Sequence, residues 1–529
     1  MASSHGDAPV DGAHAGPGDE RNPHASANKW RHAESTAFAG YEKARRGRQQ
    51  QQHHAGPVAR DADTRGAGVS DLADFLNKSR IDPRDTNGGS AGEGPRSKPV
   101  VAGASEARAA VTAANEPHPG DEVAPPPGPP PDGKEVVCGP LLNYRRMEGR
   151  SRWIGSVLLV TAGGGRTQPF APTLTLRRRR VGGDNVDGAG NDNNNGGGGR
   201  DIPGVCLYSD ARNTFWRFDL EVDLDPAAET RWEYELPRSM RFASPTKPRV
   251  NEFVVPAADE SMRIMFHSCN GFSVGTDEEA FSGAALWNDV LRRHAERPFH
   301  VMIGGGDQIY NDGIRVSGPL RPWSDMANPK KRRDHPFPES LRQECDDYYL
   351  KNYIRWYSTE PFATANGQIP QLNIWDDHDI IDGFGSYVND FMKCDVFRGI
   401  GGTAHKYYML FQHHLAPPAS TYTSEEGQGI DPNQSINTYV HPPMSEPNYI
   451  YGPHPGPYVA EHSHNMFARL GARIAFLGID ARTERTRHQV NHPDTYKAIF
   501  SRLKQELADA ENSGRPIKHL ILLLASDMA

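Results

Sequence analysis

Cysteine, long apolar runs and surplus positive charge are all scarce in this 529-residue chain, and each shortage removes a class of protein. Its five cysteines, Cys138, Cys206, Cys269, Cys345 and Cys394, are odd in number and widely spaced, with no CxxC pair of the kind that holds zinc. That pattern excludes a disulfide-stapled secreted scaffold and fits a reducing compartment. No stretch approaches eighteen apolar residues, and Met1–Gly12 is small and polar, without the apolar segment of a signal peptide. A soluble, cytoplasmic chain is therefore expected. The formal net charge is −8, so no basic surface points to nucleic acid or an acidic membrane as a partner. Nucleic acid as a substrate stays open.

What is present falls into three stretches. Residues 1–133 are rich in Ala, Gly, His, Gln and Pro and read as a disordered tail. Within it, Val69–Asn77 has helical spacing behind a candidate N-cap, Ser70, and reads as a transient or partner-binding helix. Pro125–Pro131 is a semi-rigid spacer or a ligand for an SH3- or WW-type domain. Residues 136–256 carry short β-rich runs, such as Ser156–Thr161 and the alternating Phe215–Val222, and predict a small β-sandwich-like domain. Arg177–Arg180 reads as a solvated charge run opening a long loop, with phosphate contact as the alternative.

From 257 to 529 strand and helix patterns alternate, which predicts a layered α/β domain. Expected strands are Arg263–Ser268, His300–Ile303, Gln371–Trp375, Ala472–Gly478 and Leu520–Leu524. Expected helices are Glu278–His294, Leu341–Ser358, His405–His413 and Thr495–Asn512.

The chemistry sits where these strands end, which is where open α/β sheets place their sites. Trp375-Asp376-Asp377-His378-Asp379 puts three carboxylates and an imidazole on consecutive residues, a set that repels itself unless a cation neutralises it. The alternative is an exposed acidic loop. Gly304-Gly305-Gly306-Asp307 lets the backbone turn sharply and approach a ligand. A helical turn after Asp307 would bring Tyr310 onto the same face, and a tyrosine ligand needs a strong Lewis acid such as Fe(III). Cys269 is either a thiolate ligand of that site or an inert buried cysteine. Asp480 offers a further carboxylate, and Arg482 is either a phosphate clamp or half of a structural ion pair. His378 is a candidate proton donor or phosphate ligand.

Ser268-Cys269-Asn270, Gly306-Asp307-Gln308-Ile309-Tyr310, Trp375-Asp376-Asp377-His378-Asp379 and Asp480-Ala481-Arg482 resemble, in that order, the motifs of PhoD-like alkaline phosphatases of the calcineurin-like metallophosphatase superfamily. The match covers roughly residues 260–525, and the long N-terminal part is similar to the large intracellular fungal and plant-type members. The resemblance implies a four-layer αββα domain with Fe(III) and Ca(II), other divalent metals being alternatives. It places Cys269, Asp307 and Tyr310 on iron, Asp307 bridging to calcium, Asp376 and Asp377 on calcium, His378 at the scissile phosphate and Arg482 near the cleft. The implied reaction is hydrolysis of small phosphomonoesters or phosphodiesters by metal-activated water.

Nothing after Leu524 resembles the family's closing Gly-Asp-x-His motif, which supplies late metal ligands; the sequence ends Ser526-Asp527-Met528-Ala529. The expectation is a truncated chain whose sheet exposes an edge and in which Asp527 is not a ligand. The alternative in a different class is a non-catalytic scaffold that binds phosphorylated ligands or partners. A calcium-binding structural protein lacks the loop spacing of an EF-hand.

Overall fold

A computed structural model describes residues 132–163, 170–179, 199–243, 247–272, 283–421, 438–444 and 446–525. Most of the expected disordered tail, with the Val69–Asn77 island and the Pro-rich segment, lies outside these residues, as does Asp527. No helix among the described residues is long and apolar enough to cross a membrane.

Among the described residues, nine strands precede residue 257: β1 (Glu135–Glu148), β2 (Arg152–Ala162), β3 (Thr173–Arg178), β4 (Arg200–Pro203), β5 (Val205–Ser209), β6 (Asn213–Asp223), β7 (Thr230–Glu235), β8 (Arg241–Phe242) and β9 (Val250–Val255). Eight follow: β10 (Ile264–His267), β11 (Val301–Gly304), β12 (Gln371–Asn373), β13 (Tyr439–Val440), β14 (Tyr449–Pro455), β15 (His462–Leu470), β16 (Ile474–Ile479) and β17 (His519–Leu524). They form a mixed α/β architecture with three sheets. The largest runs β10-β11-β12-β1-β2-β6-β5-β13, with β8 beside β1; the two four-stranded sheets run β4-β3-β7-β9 and β14-β15-β16-β17.

The boundary expected at 256/257 falls inside a shared sheet. Asn143 of β1 pairs in parallel with Gln371 of β12, so the β-rich region supplies the strand on which the parallel half is built. Of the strands described before residue 257, only β3, β4, β7 and β9 form a sheet apart, and it packs on the large one through Phe253 against Trp153, 5.1 Å between ring centroids. Composition changes near 256 because β1, β2 and β6 are antiparallel neighbours whereas β10 to β12 are parallel and need helical crossovers. Helix Ala285–Glu296 makes the first crossover; Glu339–Ser358 and Phe362–Gln368 make the second.

The arginine run meets acid within the protein. Arg177 pairs with Glu233 at 2.9 Å and Glu235 at 2.6 Å, Arg178 with Asp225 at 3.0 Å, and Arg179 with Glu252. These cross-strand pairs account for the run; Arg180 lies outside the described residues.

Most other elements fall within a few residues of their expected bounds. The helix expected over His405–His413 is instead Asp395–Tyr407, continued by a π turn at Tyr408–Gln412. Its widened turn brings Gln412 under the Asp-His-Asp segment, as π turns often do at functional sites. At the outer edge of its sheet, β17 exposes Leu520, Leu522 and Leu524.

Candidate metal centre

Three parallel strands end side by side and release their chains into one corner. Beyond β10 comes Cys269, beyond β11 Asp307, and beyond β12 Asp376 to Asp379; β16 of the neighbouring sheet adds Asp480 and Arg482. Trp375 fastens the two sheets there: its ring stacks on Tyr408 at 4.3 Å and its Nε1 donates to Asp480 Oδ1 at 2.9 Å.

The backbone at this corner is strained. Cys269 and Asp307 hold φ of 53° and 54°, in the left-handed region that non-glycine residues seldom adopt. Gly306, at φ 107°, has no alternative: a Cβ there would meet the Asp376 Cβ at 2.6 Å. The helical turn expected after Asp307 is therefore absent, since a left-handed residue cannot continue a right-handed helix. Tyr310 arrives by another route. Its ring lies 4.5 Å from that of His378 and passes over Gly271, where a Cβ would meet it at 2.6 Å.

Asp307 is the junction of the motifs. Its N–H donates to Asp379 Oδ2 at 2.8 Å, its Oδ1 accepts from the His378 N–H at 3.3 Å, and Cys269 Sγ donates to its Oδ2 at 3.5 Å. Asp307 Oδ, Asp377 Oδ and a His378 ring nitrogen lie within 4.8 Å of one another. Burial first, then the Asp377, Asp376 and Asp379 charges, push the Asp307 carboxyl up to about 8 despite the opposing pull of His378. Burial likewise lifts Asp379 to about 7. Burial first, then Asp307, raise the Cys269 thiol and the Tyr310 phenol, which keeps both protonated without a cation.

This donor set fits a metal ion. Carboxylates crowd beyond what the local cations neutralise, and Asp377 Oδ1 is buried with no hydrogen-bond donor among the described residues. Asp377 Oδ2 is held by the Gly383 N–H at 2.6 Å, which fixes the direction of the other oxygen.

Other residues named from the sequence take different places. Arg482 is buried, 1% exposed, with Nε donating to Asp376 Oδ1, Nη1 to the Phe384 carbonyl at 3.1 Å, and Nη2 3.4 Å from Asp377 Oδ1. It is an ion-pair partner of two expected ligands. Asp480, read as a further carboxylate of the site, is a structural hub: it accepts from Trp375 Nε1, from the N–H groups of His464, Arg482 and Thr483, and from Thr483 Oγ1.

Sequence reasoning gave no role to Asp312 or Gln412. Asp312 Oδ2 sits 2.5 Å from His378 Nδ1, and its Oδ1 accepts from the Asp382 N–H at 2.8 Å. Burial alone would lower the His378 pKa, but Asp312 outweighs it and holds the imidazole well above its ordinary value, in the charged form. Gln412 Nε2 donates to Asp379 Oδ1 at 2.8 Å while its Oε1 accepts from Gln308. Asp312 follows Tyr310 by two residues, a weak signal; Gln412 left no local one. A second acidic group, Glu229, Glu260 and His300, is spanned by Arg263, which pairs with both glutamates.

Comparison with known proteins agrees with the resemblance. Residues 222–426 match the model of the PhoD related phosphatases, a span that holds the first three motifs. Over 415 residues the chain is 29% identical to the uncharacterized protein YGR266W of Saccharomyces cerevisiae, covering 74% of this chain and 54% of that protein. The chain thus spans about half the length of this curated relative. Among solved structures, PhoD is 12% identical over 68% of this chain and 54% of its own, with a TM-score of 0.30. A β-glucuronidase of Parabacteroides merdae is 8% identical, with a TM-score of 0.19 over 52% of this chain and 33% of its own. Neither structural likeness is close enough to bear on fold or function.

Proposed function

We propose that this chain is a metal-dependent phosphoric ester hydrolase, acting on small phosphomonoesters or phosphodiesters, with the αββα layering of the PhoD-like enzymes. The observation that carries the reading is the convergence of Asp307, Asp377 and His378 at the ends of parallel strands, within a segment that matches the PhoD related phosphatases. Asp307 and Asp377 would hold the cation, with Cys269 and Tyr310 beside Asp307 as further donors once deprotonated. When bound, the cation supplies a Lewis acid for the phosphoryl oxygens and a water of lowered pKa. Fe(III) and Ca(II) are the metals that the resemblance implies.

The chain's own residues do the remaining work. Asp312 holds His378 through Nδ1, so Nε2 is the ring nitrogen that faces a substrate, and a charged imidazole there binds a phosphoryl oxygen or gives its proton to the leaving oxygen. Asp312 is itself pinned by Arg315 at 3.4 Å and by the Asp382 N–H, which limits its freedom to turn away. Gln412 and the two N–H donors on Asp379 fix the loop that carries Asp376 to His378. Cytoplasmic location is part of the same reading.

The test is hydrolysis of p-nitrophenyl phosphate and bis(p-nitrophenyl) phosphate together with metal analysis, comparing the chain with Asp307→Ala. Metal in the chain, and a loss of turnover of at least ~10²-fold in the variant, is the expected result. Folded protein that binds a phosphorylated ligand without turnover would favour the non-catalytic scaffold instead.

A further inference from the structure

Counting charges at this corner distinguishes residues that are already matched from those that are not. Asp312 and Asp382 face Arg315 at 3.4 and 3.3 Å, and Asp312 also faces His378. Asp379 is held by three N–H donors, those of Asp307, Asp376 and the Gln412 amide. Asp376 is paired with Arg482. The one guanidinium is shared between Asp376 and, at 3.4 Å, Asp377, so the carboxylates of Asp307, Asp376 and Asp377 outnumber the guanidinium that faces them, and Asp307 and Asp377 are the two that converge with His378.

Arg482 is not a surface side chain free to swing away. Its backbone N–H is tied to Asp480 Oδ1 at 3.1 Å, its Nη1 to the Phe384 carbonyl, and its guanidinium is buried. A metal ion that took Asp376 from this buried guanidinium would remove one of the two carboxylates that face it, at a cost. The bidentate reach of its planar fork lets it touch Asp376 and Asp377 together, as a metal ion between two carboxylates does.

Resting on the hydrolase reading above, we propose that the guanidinium of Arg482 takes the place of a second metal ion, so that this corner binds a single cation between Asp307 and Asp377. Asp376 is then a partner of Arg482 and not a metal ligand, which departs from the two-metal arrangement implied by the resemblance. Substrate oxygens meet one metal ion on one side and a fixed guanidinium behind Asp376 on the other.

Native mass spectrometry during titration with Mn²⁺, and separately with Ca²⁺, tests this on the full chain, with Asp307→Ala as the blank for ions bound elsewhere. The expected count is one site-specific ion for the chain and for Arg482→Lys, and two for Arg482→Met, in which Asp376 is released. Asp376→Asn should keep one ion with affinity within about tenfold, while Asp377→Asn should weaken it by more than about tenfold. These two aspartate variants decide the matter should Arg482→Met fail to fold. Two ions in the unaltered chain, or loss of the ion in Asp376→Asn, would overturn the proposal and leave the hydrolase reading standing. No site-specific ion in any variant would overturn both.

Discussion

Two buried corners of this protein hold carboxylates, and they treat them in opposite ways. Around Asp346 the anion is met from several sides: Lys406 Nζ at 2.8 Å, Arg212, Tyr407 Oη at 3.0 Å, and Arg342 at 3.8 Å. Around Asp307 the nearest charges include Asp376, Asp377 and Asp379. Burial pushes both carboxyls upward, yet Asp346 ends at about 2 because Lys406 and Arg212 outweigh burial, and Asp307 ends at about 8 because burial and the surrounding aspartates together outweigh the pull of His378. Burial of an acid is thus no sign of function. A surplus of buried acid over buried base is, because folding alone gives no reason to keep it.

The comparison breaks most visibly if the balanced corner is unbalanced. Asp346→Ala leaves Lys406 buried without its anion, Arg212 keeping Asp210 and Asp347, and should cost about 3–5 kcal/mol in urea unfolding. A loss below ~1 kcal/mol would mean that this network is not the structural tie described. The same pair sets an acid limit. Because the folded-state pKa of Asp346 is lowered from 3.8 to about 2, its stabilisation is present above pH 4 and lost as the pH falls through that interval. The stability gap between the chain and Asp346→Asn should therefore shrink between pH 5 and pH 2; a gap that widens on acidification would contradict the assignment.

At the unbalanced corner the sign reverses. Asp307→Asn removes a buried carboxyl that is costly to ionise, so in the presence of EDTA it should stabilise the protein by about 1 kcal/mol. It should also erase the rise in Tm on adding Mn²⁺. Destabilisation of the metal-free protein by this change would show that the carboxylates are not in excess. The smallest effect belongs to the exposed helix Ala285–Glu296, where Arg292 pairs with Asp289 and Glu296 in solvent. Arg292→Ala should leave the urea-unfolding midpoint unchanged within error, the control against which the buried corners are measured.

Much of this was legible in the chain. Strand ends rich in Gly and Asp follow apolar runs because each parallel strand must be buried and must then turn, and both requirements act over five or six neighbouring residues. Where the reading went astray, distant partners had overruled local pattern. Asp307 looked like the start of a helical turn, but hydrogen bonds from its N–H to Asp379 and from the His378 N–H to its Oδ1 hold it left-handed. The β-rich stretch before 257 looked self-contained, but its first strand is completed by β12.

The sequence by itself determined which residues stand at the strand ends and hence that carboxylates, a cysteine and a histidine are delivered to one edge of a sheet, because side-chain burial and backbone turning are local properties. Only the tertiary structure decided which of those charges are already spoken for. Arg482 finds Asp376 across 106 residues and His378 finds Asp312 across 66; the first pairing depends on how two sheets meet and the second on β11 and β12 lying side by side, which no local spacing encodes.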